Sequence, residues 1–388
     1  MRPRARISGA FIFMKKIVIA LDSFKGSVCS TQANEACAKG IKDLMPDCAC
    51  ECITLADGGE GTIDAVAANL PGGIFMACDA HDPSGHPHTA RYYTLPDHST
   101  AVIETADCAG LALLASDERN PWITNSYGLG ETIADAVSKG YHKIIIGLGG
   151  SATNDGGTGM LQALGFRFID HSRNEIKEHG GQILRHIAKI DSSFKIKKLD
   201  NCEIIALCDV NNPLTGQSGA THIYGPQKGA DTLMLDDLEN GMTNYASIIG
   251  SEIADTPGAG AAGGIGAALL AFLNTSLKPG IQTILSLANF EQRINGADLV
   301  ITGEGRIDRS TFMGKGPYGI MMTAKVHNVP VVALAGSVAD DIDSYNLCDI
   351  VAITPPDTPL ETAMRTDIAS QNIRKAIAAY LKDRHLHS

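Results

Sequence analysis

The sequence predicts an α/β fold, with a Rossmann-like parallel-sheet domain built from both chain ends and a second, mixed α/β domain inserted between them. Three observations predict it. The first segment runs strand, helix, strand; the last segment repeats that style; and the middle breaks it with short stretches rich in His, Pro and Thr. A βαβ order implies parallel strands joined by right-handed crossovers, because the chain must return over one face of the sheet.

The elements follow in chain order. Residues 1–13 carry Arg2, Arg4 and Arg6 before a short apolar stretch. Lys15 and Lys16 interrupt any secretory hydrophobic region and no small-residue cleavage site follows, so these residues read as a disordered extension ahead of Met14. Lys16–Leu21 is a buried strand, Ala33, Cys37, Ile41 and Leu44 recur at helical spacing, and 51–55 is a second strand. Between 75 and 107, the segments 90–94 and 101–104 read as antiparallel strands. A helix at 128–139, a strand at 143–148, a helix through Met160 and strands at 166–169 and Glu203–Leu207 come next. The glycine-rich run 258–264 then leads into a helix at 265–273. Strands at 298–302, 331–335 and 349–354, with helices at 317–327 and 360–381, complete the first domain. The predicted boundaries are 14–74 with 292–388 for the Rossmann-like domain and 75–291 for the insertion.

Composition excludes several function classes. Net charge is −11, from 32 basic and 43 acidic residues, which argues against nucleic acid and anionic membrane as partners. No apolar run approaches the ~20 residues needed to span a bilayer. The 41 glycines in 388 residues exceed the usual ~7% and gather in loops after strands. The ten cysteines contain no CxxC pair; Cys48, Cys50 and Cys52 alternate along an extended segment and read as reduced, buried thiols of a cytoplasmic protein.

The strand exits carry the chemistry. Lys143-Ile-Ile-Ile146 opens into Gly147-Leu-Gly149-Gly150-Ser151-Ala-Thr153-Asn154-Asp155-Gly156-Gly157-Thr-Gly159, with six glycines in thirteen positions. Such a loop bares backbone amides toward an anion. Other exits read Asp22-Ser23-Phe-Lys25-Gly-Ser27, Asp57-Gly-Gly-Glu60-Gly, Cys208-Asp209-Val-Asn-Asn and Gly303-Glu304-Gly-Arg306-Ile-Asp308. Exits on one side of a parallel sheet converge, so acids and bases repeated there mark a site, expected in a cleft between the domains. Phosphoryl transfer needs this set: cations and amides around phosphates, carboxylates for Mg²⁺, and a base for the acceptor hydroxyl. Lys25 with Ser23 and Ser27 suits an anion, Arg306 between Glu304 and Asp308 suits developing charge, and Asp57 and Glu60 lie in a loop too rich in glycine to bury them. Lys315 stands just before a helix with Pro317 at its start, a ready anion site. Asp22 also suits a simple turn cap.

Other patterns point elsewhere. No GxxxxGK[ST] occurs. Gly258-x-Gly260-x-x-Gly263 follows Asp255-Thr-Pro257 rather than a strand, and reads as a close-packed helix start. Gly147-x-Gly149-x-x-Ala152, with Asp170 at ribose-reading distance in sequence, offers the alternative of a nicotinamide-dependent dehydrogenase. His81, His86 and His88 sit in a proline-broken loop and read as exposed rather than metal-binding.

Taken together, these loops resemble the type I glycerate kinases, bacterial ATP-dependent kinases of D-glycerate. The resemblance rests on Ala20-Leu-Asp-Ser-Phe-Lys-Gly-Ser27, Ala56-Asp-Gly-Gly-Glu-Gly-Thr62, the run 147–159, Cys208-Asp-Val-Asn-Asn-Pro-Leu214, Gly225-Pro-Gln-Lys-Gly-Ala230, 257–264 and Thr302-Gly-Glu-Gly-Arg-Ile-Asp308, in order over nearly the whole chain. It implies a two-domain enzyme using ATP and Mg²⁺, with glycerate as substrate and 2-phosphoglycerate favoured over the 3-isomer, acting as a monomer or homodimer. Onto matching positions go catalytic roles for Asp57, Lys25, Glu304, Arg306 and Asp308. Nucleotide contacts fall to Gly149, Gly150, Ser151, Thr153 and Lys315, though the 149–153 loop suits a substrate anion equally. Substrate contacts fall to Asp22, Ser23, Ser27, Glu60, Asp155 and Asp209, and metal ligation to Asp57, Glu60 and Glu304. One departure stands out: the family usually runs Ser-Gln-Thr after that Asp, where this chain has Arg309-Ser310-Thr311.

Overall fold

The computed structural model describes residues 14–313, 316–340, 342 and 347–386. The predicted extension 1–13 and Lys315 lie outside them. The chain divides into two compact units: a terminal unit, from residues up to Ala56 and from Ile284 onward, and an inserted unit, Asp57–Thr283. The division falls earlier than the predicted 74/75 and 291/292. The helix Thr62–Asn69 packs on strands of the inserted unit, whereas Arg293, in the helix Phe290–Arg293, bonds Glu51 at 2.5 Å in the terminal one.

The terminal unit begins with β1 (Lys16–Leu21) and β2 (Ala49–Cys52). The inserted unit continues with β3 (Ile74–His81), β4 (Pro87–Thr94), β5 (Thr100–Glu104), β6 (Lys143–Gly147) and β7 (Arg167–Asp170). It goes on through β8 (Glu175–Ile176), β9 (Ile187–Asp191), β10 (Glu203–Leu207) and β11 (Thr275–Lys278). The terminal unit resumes with β12 (Leu299–Ile307), β13 (Val331–Val338) and β14 (Asp349–Ala352).

In the terminal unit the sheet order is β2-β1-β12-β13-β14, all parallel. Counted within the unit this is 2-1-3-4-5, a doubly wound order whose crevice opens between β1 and β12, where the order reverses. β1 is central and covered on both faces, which is why Ile17 through Leu21 form an unbroken apolar run with no exposure. The helix Ser30–Lys42 buries Ala33, Cys37 and Ile41 on that sheet. Its buried Asn34 accepts from the Leu21 amide and donates to the Ile53 carbonyl, both at 2.9 Å. Ser30 Oγ accepts from the Leu55 amide at 2.8 Å. The Ile53 amide still bonds the Ile19 carbonyl at 2.8 Å, but side chains take the Ile53 carbonyl and the Leu55 amide, and the strand predicted at 51–55 ends at Cys52. The helix predicted at 360–381 is two, Leu360–Ala363 and Thr366–Leu386. The longer one crosses Ser30–Lys42 so closely that a Cβ on Gly40 would lie 2.4 Å from the Arg374 carbonyl oxygen.

In the inserted unit six strands run β11-β10-β6-β5-β4-β3. β11, β10, β6 and β5 are parallel; β4 and β3 add in antiparallel sense. The segment 101–104 is therefore antiparallel only on its β4 side. A small antiparallel sheet, β8-β7-β9, accompanies them. The core gathers Leu129, Ile133, Ile144, Ile146, Met160, Phe168 and Tyr245, all fully buried.

Candidate active site

Local structure gathers the predicted residues within each unit. In the terminal unit the Asp22 amide donates to the Gly303 carbonyl at 2.9 Å, which ties the β1 exit to β12 at the reversal point. The chain then turns tightly: the Phe24 amide bonds the Val28 carbonyl at 2.9 Å, and Lys25 is held exposed on the turn. Asp22 Oδ1 accepts from the Ser23 amide at 2.7 Å, the turn-capping role foreseen as its alternative. Ser27 Oγ is buried with no hydrogen-bond partner among the described residues. Beside this turn β12 does not stop at Thr302, as the sequence suggested, but pairs with β13 through Ile307, with Glu304 opposite Ala335 and Arg306 opposite Ser337. Glu304 and Arg306 are thus strand residues held in register rather than loop residues. Arg306 is exposed, its Nε 3.8 Å from Asp308 Oδ2. Asp308 Oδ1 accepts from the Ser310 amide at 2.8 Å and from the Ser310 hydroxyl, while the Asp308 amide donates to Thr311 Oγ1 at 3.1 Å. The departing Arg309-Ser310-Thr311 therefore locks Asp308 in place.

In the inserted unit the loop 57–61 lies against the exits of the parallel strands. A Cβ on Gly147 would sit 2.5 Å from the Gly58 carbonyl oxygen, one on Gly149 2.5 Å from Gly59 Cα, and one on Gly280 2.3 Å from the Asp57 carbonyl oxygen. These glycines let three loops meet backbone to backbone. Asp57 is half-buried, its Oδ1 accepting from the Gly59 amide at 3.0 Å; Glu60 is exposed. Asp209 Oδ1 accepts from the Gly280 amide at 2.8 Å. The loop 147–159 keeps only part of its amides for a ligand. Gly149 donates to the Gly58 carbonyl at 2.9 Å and Ala152 to the Ala109 carbonyl at 2.8 Å. The amides of Gly150 and Ser151 have no protein acceptor among the described residues.

Asp155 differs from its predicted role. It is fully buried, and its carboxylate accepts from the Ser126 amide (2.9 Å) and hydroxyl (2.8 Å) and from the amides of Gly157 (3.0 Å) and Gly159 (3.1 Å). Every one of these bonds braces the loop and the helix Thr158–Ala163.

Two functional candidates escaped sequence reasoning. Glu104, buried at the end of β5 opposite Gly147, accepts from the Ile63 amide at 2.5 Å; burial pushes its carboxyl up to about 7. Lys228, with 2% exposure, donates from Nζ to Ser151 Oγ at 2.9 Å and to the Thr153 carbonyl at 2.7 Å. Burial lowers its amine to about 7, against the opposing pull of the Asp155 charge. The only sequence signal for Lys228 was its place in Gly225-Pro-Gln-Lys-Gly-Ala230.

Several predicted readings are not assembled. Asp170 ends β7 in the separate antiparallel sheet and caps its own turn, accepting from the Asn174 amide at 2.7 Å. The helix after the 147–157 run is only Thr158–Ala163, too short for a dinucleotide crossover. The dehydrogenase alternative therefore lacks its geometry. In the run 258–264 a Cβ on Gly263 would lie 1.9 Å from the Thr153 carbonyl oxygen, so glycine there serves close packing. His81 bonds Glu131 at 2.9 Å and His88 the Asp107 carbonyl at 2.8 Å. All ten cysteines are free thiols, but of the three expected to be buried only Cys48 is; Cys50 is half-buried and Cys52, at the end of β2, is exposed. Among the described residues no three His, Cys, Asp or Glu side chains cluster to hold a metal. Magnesium in nucleotide sites usually takes one or two carboxylates plus phosphate oxygens, and the 57–61 loop carries two carboxylates, Asp57 half-buried and Glu60 exposed. No helix among the described residues is long and apolar enough to cross a membrane.

Fold and site define an α/β phosphotransferase, and comparison with known proteins agrees. The glycerate kinase family model matches residues 17–383, and the chain belongs to that family. It is 44% identical over 355 residues to a glycerate kinase of Bacillus subtilis, covering 90% of this chain and 92% of the relative. It is also 44% identical over 331 residues to a glycerate 2-kinase of Escherichia coli, covering 84% and 86%. A crystal structure of a candidate glycerate kinase 2 from Salmonella typhimurium LT2 superposes with a TM-score of 0.81 at 41% identity, covering 96% of this chain and all of that one.

Proposed function

We propose that this protein transfers the γ-phosphoryl group of ATP to a hydroxyl of D-glycerate, giving 2-phosphoglycerate, in the cytoplasm. The observation that carries the reading is the meeting of the 57–61, 147–151 and 208–209 loops at the carboxyl ends of parallel strands, with unspent amides at Gly150 and Ser151 beside carboxylates. The relative named glycerate 2-kinase supports the 2-position. Free thiols throughout support a reducing compartment.

The amides of Gly150 and Ser151, with the Ser151 hydroxyl, receive an oxyanion of nucleotide or substrate, whereas Thr153 is fully buried and holds Lys228 through its carbonyl. Lys25 and Arg306, both exposed beside the β1–β12 reversal, neutralise anionic charge on the acceptor carboxylate or the transferring group. Glu304, fixed in register on β12, is assigned to take the acceptor hydroxyl's proton, and Asp308 orients Arg306. Asp57 and Glu60 are the proposed carboxylates for magnesium, which when bound offsets phosphate charge. Asp22, Ser23, Ser27 and Asp209 shape the exits, and Asp155 braces the loop rather than touching substrate.

A coupled ADP-release assay over a panel of small hydroxy acids tests the reading: glycerate should turn over fastest, and a flat panel would refute it. In the same assay Asp57→Asn and Lys25→Ala should each lower kcat/KM by about two orders of magnitude or more, with Tm nearly unchanged. A variant with near-full turnover has lost no catalytic residue.

A further inference from the structure

Lys228 has no role in the assignments above, yet its setting is costly. It ends the turn Pro226–Lys228, is 2% exposed, and its two partners are neutral: the Ser151 hydroxyl and the Thr153 carbonyl. Buried lysines are normally paired with a carboxylate. Here the nearby charge is Asp155, whose oxygens already accept four hydrogen bonds from Ser126, Gly157 and Gly159. Both groups that Lys228 holds belong to the glycine-rich loop. Because Ser151 Oγ accepts from the amine, its own hydrogen is left to donate elsewhere. Thr153 Oγ1 and Asn154 Oδ1, alongside, are buried with no hydrogen-bond partner among the described residues.

We propose that Lys228 is the positioning residue of the glycine-rich loop, fixing through Ser151 Oγ and the Thr153 carbonyl how Gly150 and Ser151 present their donors to an oxyanion. The inference rests on the reading of this loop as the binder of an anionic group, nucleotide phosphate or glycerate carboxylate. Burial holds the amine near neutrality in its titration, opposed by the Asp155 charge, so an oxyanion arriving at Ser151 favours the ammonium form. Binding above neutral pH then takes up a proton.

The test combines Lys228→Met and Ser151→Ala, singly and together, in steady-state kinetics with ATP and D-glycerate. Calorimetric titration of wild type and variants with ADP, and separately with D-glycerate, in two buffers of different ionisation enthalpy at about pH 8 reads proton uptake. Lys228→Met should raise one KM by about tenfold or more while the other stays within about twofold, and should abolish the uptake. The ligand whose KM rises identifies the oxyanion. Ser151→Ala should give part of the same rise, and the double variant should be no worse than Lys228→Met alone. Additive losses, or unchanged KM values with only Tm lowered, would overturn the proposal. Should Lys228→Met not fold, wild-type proton uptake with a raised KM in Ser151→Ala supports it, and the lack of either overturns it. A wild type that binds ADP with proton uptake but turns over no glycerate would refute the functional reading alone. Normal glycerate turnover with an unaltered Lys228→Met would refute only the Lys228 role.

Discussion

Asp155, Glu104 and Lys228 are three buried ionisable groups with three different fates. Asp155 is fully hydrogen-bonded, so Asp155→Ala strands the amides of Ser126, Gly157 and Gly159 and should cost ~3 kcal/mol, read by urea unfolding. A loss of activity at unchanged stability would instead restore it as a substrate ligand. Glu104 has its folded pKa raised to about 7 from an ordinary 4.5. Between those values the native state binds the proton that the unfolded chain has released, so its contribution to stability is lost as pH rises through that window. Glu104→Gln should flatten Tm against pH across it, and an unaltered slope would show that another group titrates there. None of these burials was legible locally. A carboxylate among glycines looks open, but Ser126 comes from 29 residues earlier, and Lys228 meets Ser151 across 77 residues.

At the scale of elements, the apolar runs were legible because a central parallel strand is covered on both faces and must be apolar throughout. Lys16–Leu21, Lys143–Gly147 and Glu203–Leu207 were recovered for that reason. Strand ends were not legible where partners decide them: Asn34 and Ser30 cut β2 short, while β13 carries β12 on to Ile307 through glycines that look like loop. Close packing was legible for the run 258–264, but the loops 57–61 and 147–159 read only as ligand-facing, although their glycines also pack backbone to backbone. Gly149→Ala would drive a Cβ to 2.5 Å from Gly59 Cα, between backbones that cannot rotate away. It should destabilise the inserted unit by about 1–3 kcal/mol and depress kcat/KM, measured by thermal melts and kinetics on one preparation. Wild-type behaviour would mean the 57–61 loop yields easily.

For the whole molecule, the net charge of −11 means that any anionic ligand is bound against the global field, by local donors at strand exits. The compact units divide at Ala56/Asp57 and Thr283/Ile284, both ahead of the expected boundaries; at the first, the 57–61 loop follows a terminal-unit strand in sequence yet packs on the inserted sheet. ATP with magnesium at about 100 times Kd should stabilise the fold by ~2.7 kcal/mol, whereas NAD should leave Tm unmoved. The central claim is chemical, and proton-coupled phosphorus NMR of the product reads it directly. With ATP, magnesium and D-glycerate, the new phosphate-ester signal should appear as a doublet, since carbon 2 of glycerate bears a single hydrogen. A triplet would put the phosphate on carbon 3, and no ester signal at all would contradict glycerate as the acceptor.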